Sequence, residues 1–225
     1  MSGWWDWSYV AQFFPYFLAG VPITVLLAVA ALVLGSVLGL ALALMEMSGR
    51  RWLQAPARIY IEAFRGTPLM VQILFIAFAI PFALGYTPNR FVHGIAALAL
   101  NSAAYISQIF RAGIESVDHG QVEAARSLGM THAMTMRAVV LPQAARVVVP
   151  PLTNELITLL KDSSLVFAIG IPELTTRGRL MASRTFRPVE AYALLGVMYL
   201  VLTIPLSYLA RRLERRLSRG VRRPA

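Results

Sequence analysis

Two adjacent charges, Lys161 and Asp162, interrupt an otherwise apolar stretch of this chain. Charged side chains inside membrane-length apolar runs are costly, so they are functional candidates by default. The Asp162 carboxylate can accept the hydrogen-bond donors of an ammonium group, and the hydroxyl of Ser163 can add a contact. The two charges could equally form a structural ion pair with each other. The sequence leaves both interpretations open.

Other polar residues stand where they could line the same pathway. Arg65 and Thr67 precede an apolar helix, whose amino terminus together with a guanidinium could hold a carboxylate. Alternatively, Arg65 only reaches toward the membrane surface. Asn101 and Tyr105 share one face of a predicted helix and could line a path or hydrogen-bond across the bundle. With Gln108, near the end of that helix, these residues complete the predicted substrate pathway.

The chain shows no constellation for covalent chemistry or metal binding. Its histidines, His93, His119 and His132, are scattered, and it has no cysteine, which excludes a thiolate metal site. It also has no glycine-rich loop ending in Gly-Lys-Ser/Thr, the backbone cradle that ATP phosphates need. We therefore predict no catalytic residue, no metal site and no cofactor in this chain.

The composition is typical of an integral membrane protein. Of the 225 residues, 57% are hydrophobic and 14% are charged, which is more apolar side chain than a soluble domain of this length can bury. A helix that crosses a membrane needs about 20 mainly apolar residues. Five segments supply them, at about 17–45, 68–84, 91–110, 147–169 and 191–209. The predicted fold is an all-α integral membrane protein with about five transmembrane helices.

The arginines indicate the orientation, because cytoplasmic loops of membrane proteins carry an excess of basic residues. Basic clusters follow the first helix, flank the connection between helices three and four, and close the chain. We therefore predict an amino terminus outside and a carboxyl terminus in the cytoplasm. The loop between helices four and five disagrees, since it holds Arg177, Arg179, Arg184 and Arg187. Reversing the orientation would move three other basic loops outside.

The two ends of the chain differ in composition from the apolar middle. Residues 1–16 are aromatic-rich and nearly uncharged, with three tryptophans among the first seven, and suit an anchor at the membrane interface. Residues 17–210 form the predicted transmembrane domain. Residues 211–225 carry seven arginines without interleaved aromatic residues. We interpret them as a basic cytoplasmic tail and predict no nucleic-acid binding.

The connection between helices three and four is too long for a bare loop, so we expect short helices in it. Asp118 or His119 can begin a first helix, and Gly129 can end it in a left-handed cap. Thr131 can cap a second helix that Pro142 ends. The two helices form a compact knob, which either docks a partner or packs on its own bundle.

The sequence of this knob resembles a known family. Glu123, Ala124 and Ala125 are followed by Gly129 and, after nine intervening residues, by Val-Val-Leu-Pro at 139–142. This pattern is similar to the EAA loop of bacterial ABC importer permeases, with valine where isoleucine is usual. The flanking sequence resembles the histidine/glutamine-type permeases, the polar amino-acid branch of that family, over about residues 10–212. The segments that carry this likeness are Glu-Ala-Phe-Arg-Gly-Thr-Pro at 62–68, Asn-Ser-Ala-Ala-Tyr at 101–105, Arg-Ala-Gly-Ile at 111–114 and Leu-Lys-Asp-Ser-Ser-Leu at 160–165.

That resemblance implies a five-helix permease subunit that works as a homodimer or heterodimer. Its EAA loop, at about 112–146, would form a short cytoplasmic coupling helix that docks into a separate ATPase dimer. ATP and Mg²⁺ would be bound by that partner, and an extracytoplasmic binding protein would deliver a polar amino acid, possibly glutamine. The coupling residues implied by the likeness are Glu123, Ala124, Ala125, Arg126 and Gly129.

The implied function is amino-acid transport across the bacterial cytoplasmic membrane. Relatives often carry a glutamate where this chain has Gln108, which argues against a strictly cationic substrate. A different class of function, an ion-coupled secondary transporter or channel, would use Lys161 and Asp162 for ion coupling and need no ATPase. Such folds often pair inverted halves, and residues 1–112 and 113–225 show no repeat. We therefore favour the importer.

Overall fold

The computed structural model describes residues 7–218 as helices joined by short connections. No β-strand occurs within this part of the chain, so the all-helical prediction is confirmed. Two π-helical turns, Phe75–Ala79 and Met136–Val140, and a 3₁₀ segment, Ser163–Ile169, join some of the α-helices. The α-helices are α1 (Trp7–Leu18), α2 (Val21–Glu46), α3 (Arg51–Gly66), α4 (Leu69–Leu74), α5 (Ile80–Leu84), α6 (Arg90–Glu115), α7 (His119–Ser127), α8 (His132–Thr135), α9 (Leu141–Asp162), α10 (Leu174–Thr185) and α11 (Pro188–Ser218).

The centre of the bundle is the pair α2 and α6, which pack closely because α2 presents glycines to α6. A Cβ atom at Gly35 would lie 2.1 Å from Ser102 Oγ, and one at Gly39 would lie 2.9 Å from Ile106 Cγ2. Lipid supplies no hydrophobic force that drives membrane helices together, so such helices associate by close packing. Small residues at the interface allow this packing. A larger residue at Gly35 would displace the Ser102 side chain or push the two helices apart.

Helix α9 returns antiparallel to α6. A Cβ atom at Gly113, near the end of α6, would meet Val148 near the start of α9, whereas one at Gly94, near the start of α6, would meet Val166 just beyond α9. The connection that contains α7 therefore lies at one end of the bundle and α10 lies at the other. We refer to these as the α7 end and the α10 end.

The chain bends by 108° between α3 and α4. Thr67 is extended, as a residue before proline usually is, and α3 ends there. Pro68 has no N–H to give to the carbonyl of Phe64, four residues earlier. Gln72 Nε2 replaces it, donating to Phe64 O at 2.8 Å and to Thr67 O at 3.0 Å. Helix two of the prediction is therefore preceded by a helix, α3, that the apolar pattern did not predict.

Each π-helical turn lies just before a proline. Ile80 N donates to Phe75 O and Leu141 N to Met136 O, five residues back in each case. A proline ring in a regular helix clashes with the carbonyl four residues earlier, and a wider turn accommodates it. The prediction that Pro142 ends a helix was therefore wrong, because this residue lies in the first turn of α9.

The predicted loop between helices four and five contains α10. Its amino terminus is capped by Glu173, which is fully buried. The Glu173 carboxylate accepts the backbone N–H groups of Thr175 at 2.7 Å and Thr176 at 2.6 Å. Such a cap satisfies donors that have no partner within the helix. The apolar pattern of the sequence did not predict this helix, because its polar residues resemble a loop between apolar spans.

The basic residues of this region, which disagreed with the predicted orientation, have contacts within the protein. Arg177 donates to the carbonyl of Tyr16 at 3.1 Å, and Arg187 pairs with Glu190 at 2.9 Å. The Arg179 guanidinium lies 4.5 Å from the centroid of a phenylalanine ring. These contacts account for three of the four arginines whichever way the chain is oriented.

Several helices are long enough to cross a membrane. Two stretches, Ser8–Glu46 and Pro188–Leu217, are long and apolar enough to cross a bilayer, and the bent pair of α3 with α4–α5 would be a third span. Helices α6 and α9 contain 26 and 22 residues. At about 1.5 Å per residue they are also long enough for a hydrocarbon core of about 30 Å. The count of five spans stays a prediction.

The predicted end segments do not coincide with the observed helices. Helix α1 continues past residue 16, and Tyr9 is buried, with its hydroxyl hydrogen-bonded to Thr185 of α10. This part of the predicted anchor therefore packs inside the protein. The predicted basic tail begins within α11. The outermost parts of the two segments, 1–6 and 219–225, lie outside the described residues.

Candidate functional site

A cleft of about 380 Å³ lies between the bend that joins α3 to α4, helix α6 and helix α9. Its volume is within the range of small-molecule sites, about 300–1,000 Å³. Its wall is apolar at Pro68, Leu69 and Leu165 and polar at Thr67, Asn101, Tyr105, Glu155, Thr158 and Asp162. Four of the predicted pathway residues therefore line one cavity: Thr67, Asn101, Tyr105 and Asp162.

Two carboxylates face the cleft from α9. Glu155 and Asp162 are seven residues apart, so they lie on the same face of the helix, with Thr158 between them. Both side chains are partly buried. Within residues 7–218 neither carboxylate makes a hydrogen bond or an ion pair of 4.0 Å or less. The cleft therefore has two carboxyl groups that are available to a ligand.

Glu155 was not among the predicted pathway residues. The signal in the sequence was its seven-residue spacing from Asp162, which the apolar residues between them obscured. Lys161, which was predicted, is exposed and does not line the cleft. No ion pair of 4.0 Å or less joins it to Asp162. The two charges are therefore not in direct contact, and their interpretation as a structural pair stays a prediction.

The opposite wall of the cleft is fixed by a chain of side-chain amides. Asn101 Nδ2 of α6 donates to Gln72 Oε1 at 2.9 Å, and Gln72 Nε2 donates to Thr67 Oγ1 at 2.9 Å. Gln72 and Asn101 are both buried. The same glutamine that stabilises the bend thus also sets the distance between the bend and α6. Buried polar networks whose members are all satisfied give a rigid wall.

Arg65 lies beside the cleft rather than in its wall. Its guanidinium carbon is 5.8 Å from the centroid of the Tyr105 ring, which is within the range of a cation–π contact. Tyr105 itself lines the cleft. A positive charge therefore lies next to a cavity that contains two carboxyl groups.

Besides Lys161 and Arg65, two more predicted pathway residues do not line the cleft. Ser163 is fully buried, and its hydroxyl donates to Leu160 O in the last turn of α9 at 2.8 Å. Gln108 lies nearer the α7 end, where its Nε2 donates to Glu46 Oε2 at 3.0 Å. No sequence pattern predicts that contact, because the two residues are 62 positions apart.

The described residues contain no group of three or more His, Asp or Glu side chains that could hold a metal ion. His93 is engaged within the protein, with its ring nitrogens 2.8 Å from the Tyr86 hydroxyl and 2.7 Å from Asn89 O.

The connection between α6 and α9 forms a knob at the α7 end, and its local signals are confirmed. Asp118 accepts the N–H of Gly120 at 2.8 Å and so caps α7. Gly129 follows α7 with φ at +84°, a conformation that glycine adopts without steric strain. Thr131 Oγ1 accepts the N–H of Met134 at 3.3 Å and caps α8.

The outer surface of the knob presents Glu123, Ala124 and Arg126 to solvent. Leu128, at the carboxyl end of α7, is 84% exposed. Ala125 is 5% exposed and is buried inside the knob. Charged, small and apolar side chains thus share one convex surface, which another protein can approach closely.

Comparisons with curated proteins place this chain among transport permeases. It is 37% identical over 212 residues to the arginine transport system permease protein ArtQ of Bacillus subtilis (strain 168), covering 94% of this chain and 97% of that protein. It is 41% identical over 204 residues to the octopine transport system permease protein OccM of Rhizobium meliloti, covering 87% and 82%. It is 37% identical over 213 residues to the glutamine transport system permease protein GlnP of Escherichia coli (strain K12), covering 94% and 97%.

Solved structures of ABC transporters also resemble this chain. A chain from a crystal structure described as an amino acid ABC transporter with histidines is 43% identical, with a TM-score of 0.89 over 94% of this chain and 99% of that chain. A chain of the MetNI methionine ABC transporter in an inward-facing conformation shares the fold, with a TM-score of 0.76 over 92% and 98% of the two chains at 21% identity.

The family model for the binding-protein-dependent transport system inner membrane component matches residues 31–219. This match contains the bend, the cleft and the knob. The predicted resemblance to amino-acid permeases of ABC importers is therefore confirmed, and the chain belongs to the family of binding-protein-dependent transport system inner membrane components.

Proposed function

We propose that this chain is the membrane-spanning permease subunit of an ATP-driven importer and that a polar amino acid passes through the cleft beside α9. Family membership and the names of its relatives support a transport function. The cleft supports a small polar substrate, because its volume and its polar wall suit a free amino acid. The step is translocation, with no covalent chemistry in this chain.

The observation that carries the substrate class is the pair of cleft carboxylates without protein partners, Glu155 and Asp162. Seven residues of helix separate them by about 10 Å. One carboxylate then binds the α-ammonium group of the substrate and the other binds a cationic side chain. Arg65, beside the opposite wall, is placed to bind the α-carboxylate. We therefore propose a preference for cationic amino acids, of the kind for which the arginine permease relative is named.

This proposal departs from the expectation drawn from Gln108. That expectation assumed that position 108 faces the substrate, but Gln108 contacts Glu46 outside the cleft. Glutamine is the second candidate substrate, because one relative is named for it and because Asn101 and Thr158 suit an uncharged amide.

We propose that the knob binds the ATPase. Its exposed residues, Glu123, Ala124 and Arg126 with Leu128 and Gly129, form the docking surface, and Ala125 supports it from inside. ATP and Mg²⁺ bind to a partner ATPase dimer. A second permease subunit, identical or paralogous, completes the pathway, and an extracytoplasmic binding protein delivers the substrate. The chain spans the bacterial cytoplasmic (inner) membrane five times, with its amino terminus outside and with α7 and its carboxyl terminus in the cytoplasm.

Gly129→Asp tests the docking surface. Gly85→Asp is a matched control, because Gly85 precedes α6 at the opposite end of the bundle. Gly85 also has a positive φ, of +69°, and a Cβ atom added at either glycine would meet no other atom within 4 Å. Purified from its own membrane in mild detergent, the wild type and Gly85→Asp should each bring down a phosphate-loop ATPase. Gly129→Asp should insert in the membrane but lose the ATPase.

Retention of the ATPase by Gly129→Asp would remove the knob from the docking surface. A wild-type chain that emerges without an ATPase, and that transports amino acids on an ion gradient alone, would contradict the importer. The ion-coupled secondary transporter would then take its place.

A further inference from the structure

Glu46, the last residue of α2, is a buried carboxylate that does not line the cleft. Its side chain is 8% exposed. It lies at the carboxyl end of a helix, where the helix dipole disfavours a negative charge. A buried charge in such a place persists only where other groups compensate for lost hydration. The side chains that contact the Glu46 carboxylate therefore identify the helices that Glu46 joins.

The partners of Glu46 come from two other helices. Arg111 Nη1 of α6 lies 2.5 Å from Glu46 Oε1, and Gln108 Nε2 of α6 donates to Glu46 Oε2 at 3.0 Å. Arg58 Nε of α3 is 3.9 Å from Oε1. Both oxygens are occupied from α6, so Glu46 fastens the end of α2 chiefly to the last two turns of α6.

The part of α6 that Glu46 fastens leads directly into the knob. Three residues separate α6 from α7, and they continue the helical hydrogen bonding: Ser116 N donates to Ala112 O at 3.0 Å and Val117 N to Ile114 O at 3.4 Å. Val117 is 7% exposed, and Asp118 caps α7. A force on α7 therefore reaches the end of α6 through ordered backbone.

We propose that Glu46 is a positioning residue for transport, which makes the ends of α2 and α6 move as one unit when the ATPase displaces α7. This inference rests on the proposed function, since it takes the ATPase as the source of the displacement. Close packing at Gly35 and Gly39 already joins the middle of the two helices. Glu46 extends that connection to the end where the displacement enters.

Glu115 provides a matched control. Its carboxylate also binds Arg111, with Oε1 3.2 Å from Nε, but it lies on α6 itself and is 55% exposed. Glu115→Gln therefore removes a carboxylate from the same arginine without detaching α2 from α6. A general effect of charge near Arg111 would appear in both variants, whereas the proposed effect appears only in Glu46→Gln.

The experiment measures uptake of a labelled amino acid and ATP hydrolysis together, in proteoliposomes that hold the whole importer. Glu46→Gln should assemble and hydrolyse ATP, but the amino acid taken up per ATP should fall about tenfold, within the usual range of coupling between sites. Glu115→Gln should stay within about twofold of the wild type.

A cross-link separates a mechanical role from a merely structural one. The chain has no cysteine, so Ser48→Cys and Ala112→Cys, both exposed, can be cross-linked with bis-maleimides of increasing length. Cross-linking should restore uptake per ATP in Glu46→Gln and leave the wild type unchanged.

Normal coupling in Glu46→Gln, or a cross-link that restores nothing, would overturn the inference. Should Glu46→Gln fail to assemble, Arg111→Lys is measured in its place. Lysine keeps the positive charge but cannot offer two nitrogens to two carboxylates. Normal coupling in that variant would likewise overturn it. A wild type without ATP-driven uptake would instead contradict the proposed function, and this inference with it.

Discussion

Two pairs of acidic residues lie in the helices of this protein, in opposite surroundings. Glu46 and Glu173 are buried and fully partnered; Glu173 accepts, besides two backbone N–H groups, the hydroxyls of Thr176 at 3.1 Å and Tyr199 at 3.2 Å. Glu155 and Asp162 line the cleft and have no hydrogen-bond or ion-pair partner among residues 7–218. The first pair joins helices, and the second pair is available to a ligand.

The difference follows from the energetics of charge in a membrane protein. A carboxylate away from water needs donors or cations around it, and removing them is strongly destabilising. Where the protein supplies the partners, the acid contributes to stability. Where it does not, water or a ligand must supply them, so the acid is a candidate for function. Replacing each acid by its amide tests this division, since the amide keeps the shape and removes the charge.

Asp162→Asn should have the largest effect on transport. A hydrogen bond to a charged group contributes about 1.5–3 kcal/mol, so losing it should reduce uptake at low substrate concentration about 10- to 100-fold. Uptake by the reconstituted importer, corrected for the amount of assembled complex, measures this. Lys161→Gln is the matched control: it changes a neighbouring charge outside the cleft and should leave uptake within about twofold. Equal losses in the two variants would show that the effect is not specific to the cleft.

Glu155→Gln should have a smaller effect that depends on the substrate. Removing one of two cleft charges should reduce uptake of a cationic amino acid about tenfold while leaving uptake of glutamine nearly unchanged. Competition between labelled arginine and unlabelled glutamine measures the ratio. An equal reduction for both amino acids would mean that Glu155 does not select the charge of the side chain.

Glu173→Gln should have the smallest effect on transport, because its partners are all within the protein. It should instead lower stability, by about 1–3 kcal/mol, since an amide cannot satisfy the same four donors. Thermal unfolding in detergent measures this change, with Glu155→Gln as the control that should keep the wild-type midpoint. A normal unfolding midpoint together with lost uptake would show that Glu173 acts in transport. It would contradict the division between partnered and unpartnered acids.

Local signals in the sequence predicted local structure well. Asp118, Gly129 and Thr131 each act within a few residues along the chain, and the structure places all three in their predicted roles. Apolar length likewise predicted the principal helices. It missed α3 and α10, because an amphipathic or polar helix beside a bundle has no long apolar run.

Contacts between distant residues could not be predicted in the same way. Gln108 was a reasonable pathway residue until its partner, Glu46, was known. Glu155 carried no signal beyond its spacing from Asp162. The sequence shows that a residue is charged, but it does not show which distant residue lies next to that charge. Pro142 illustrates the same limit within one helix, since a π turn before it lets α9 begin where a regular helix would stop.

The most direct test of the proposal measures ATP hydrolysis by the wild-type importer, reconstituted with its ATPase and binding protein, against arginine and glutamine in turn. Hydrolysis and uptake stimulated more strongly by arginine, with the preference lost in Glu155→Gln, would agree with a cleft whose free carboxylates bind a cation. Stimulation by glutamine alone, unchanged in Glu155→Gln, would contradict it and assign the unpartnered acids another role.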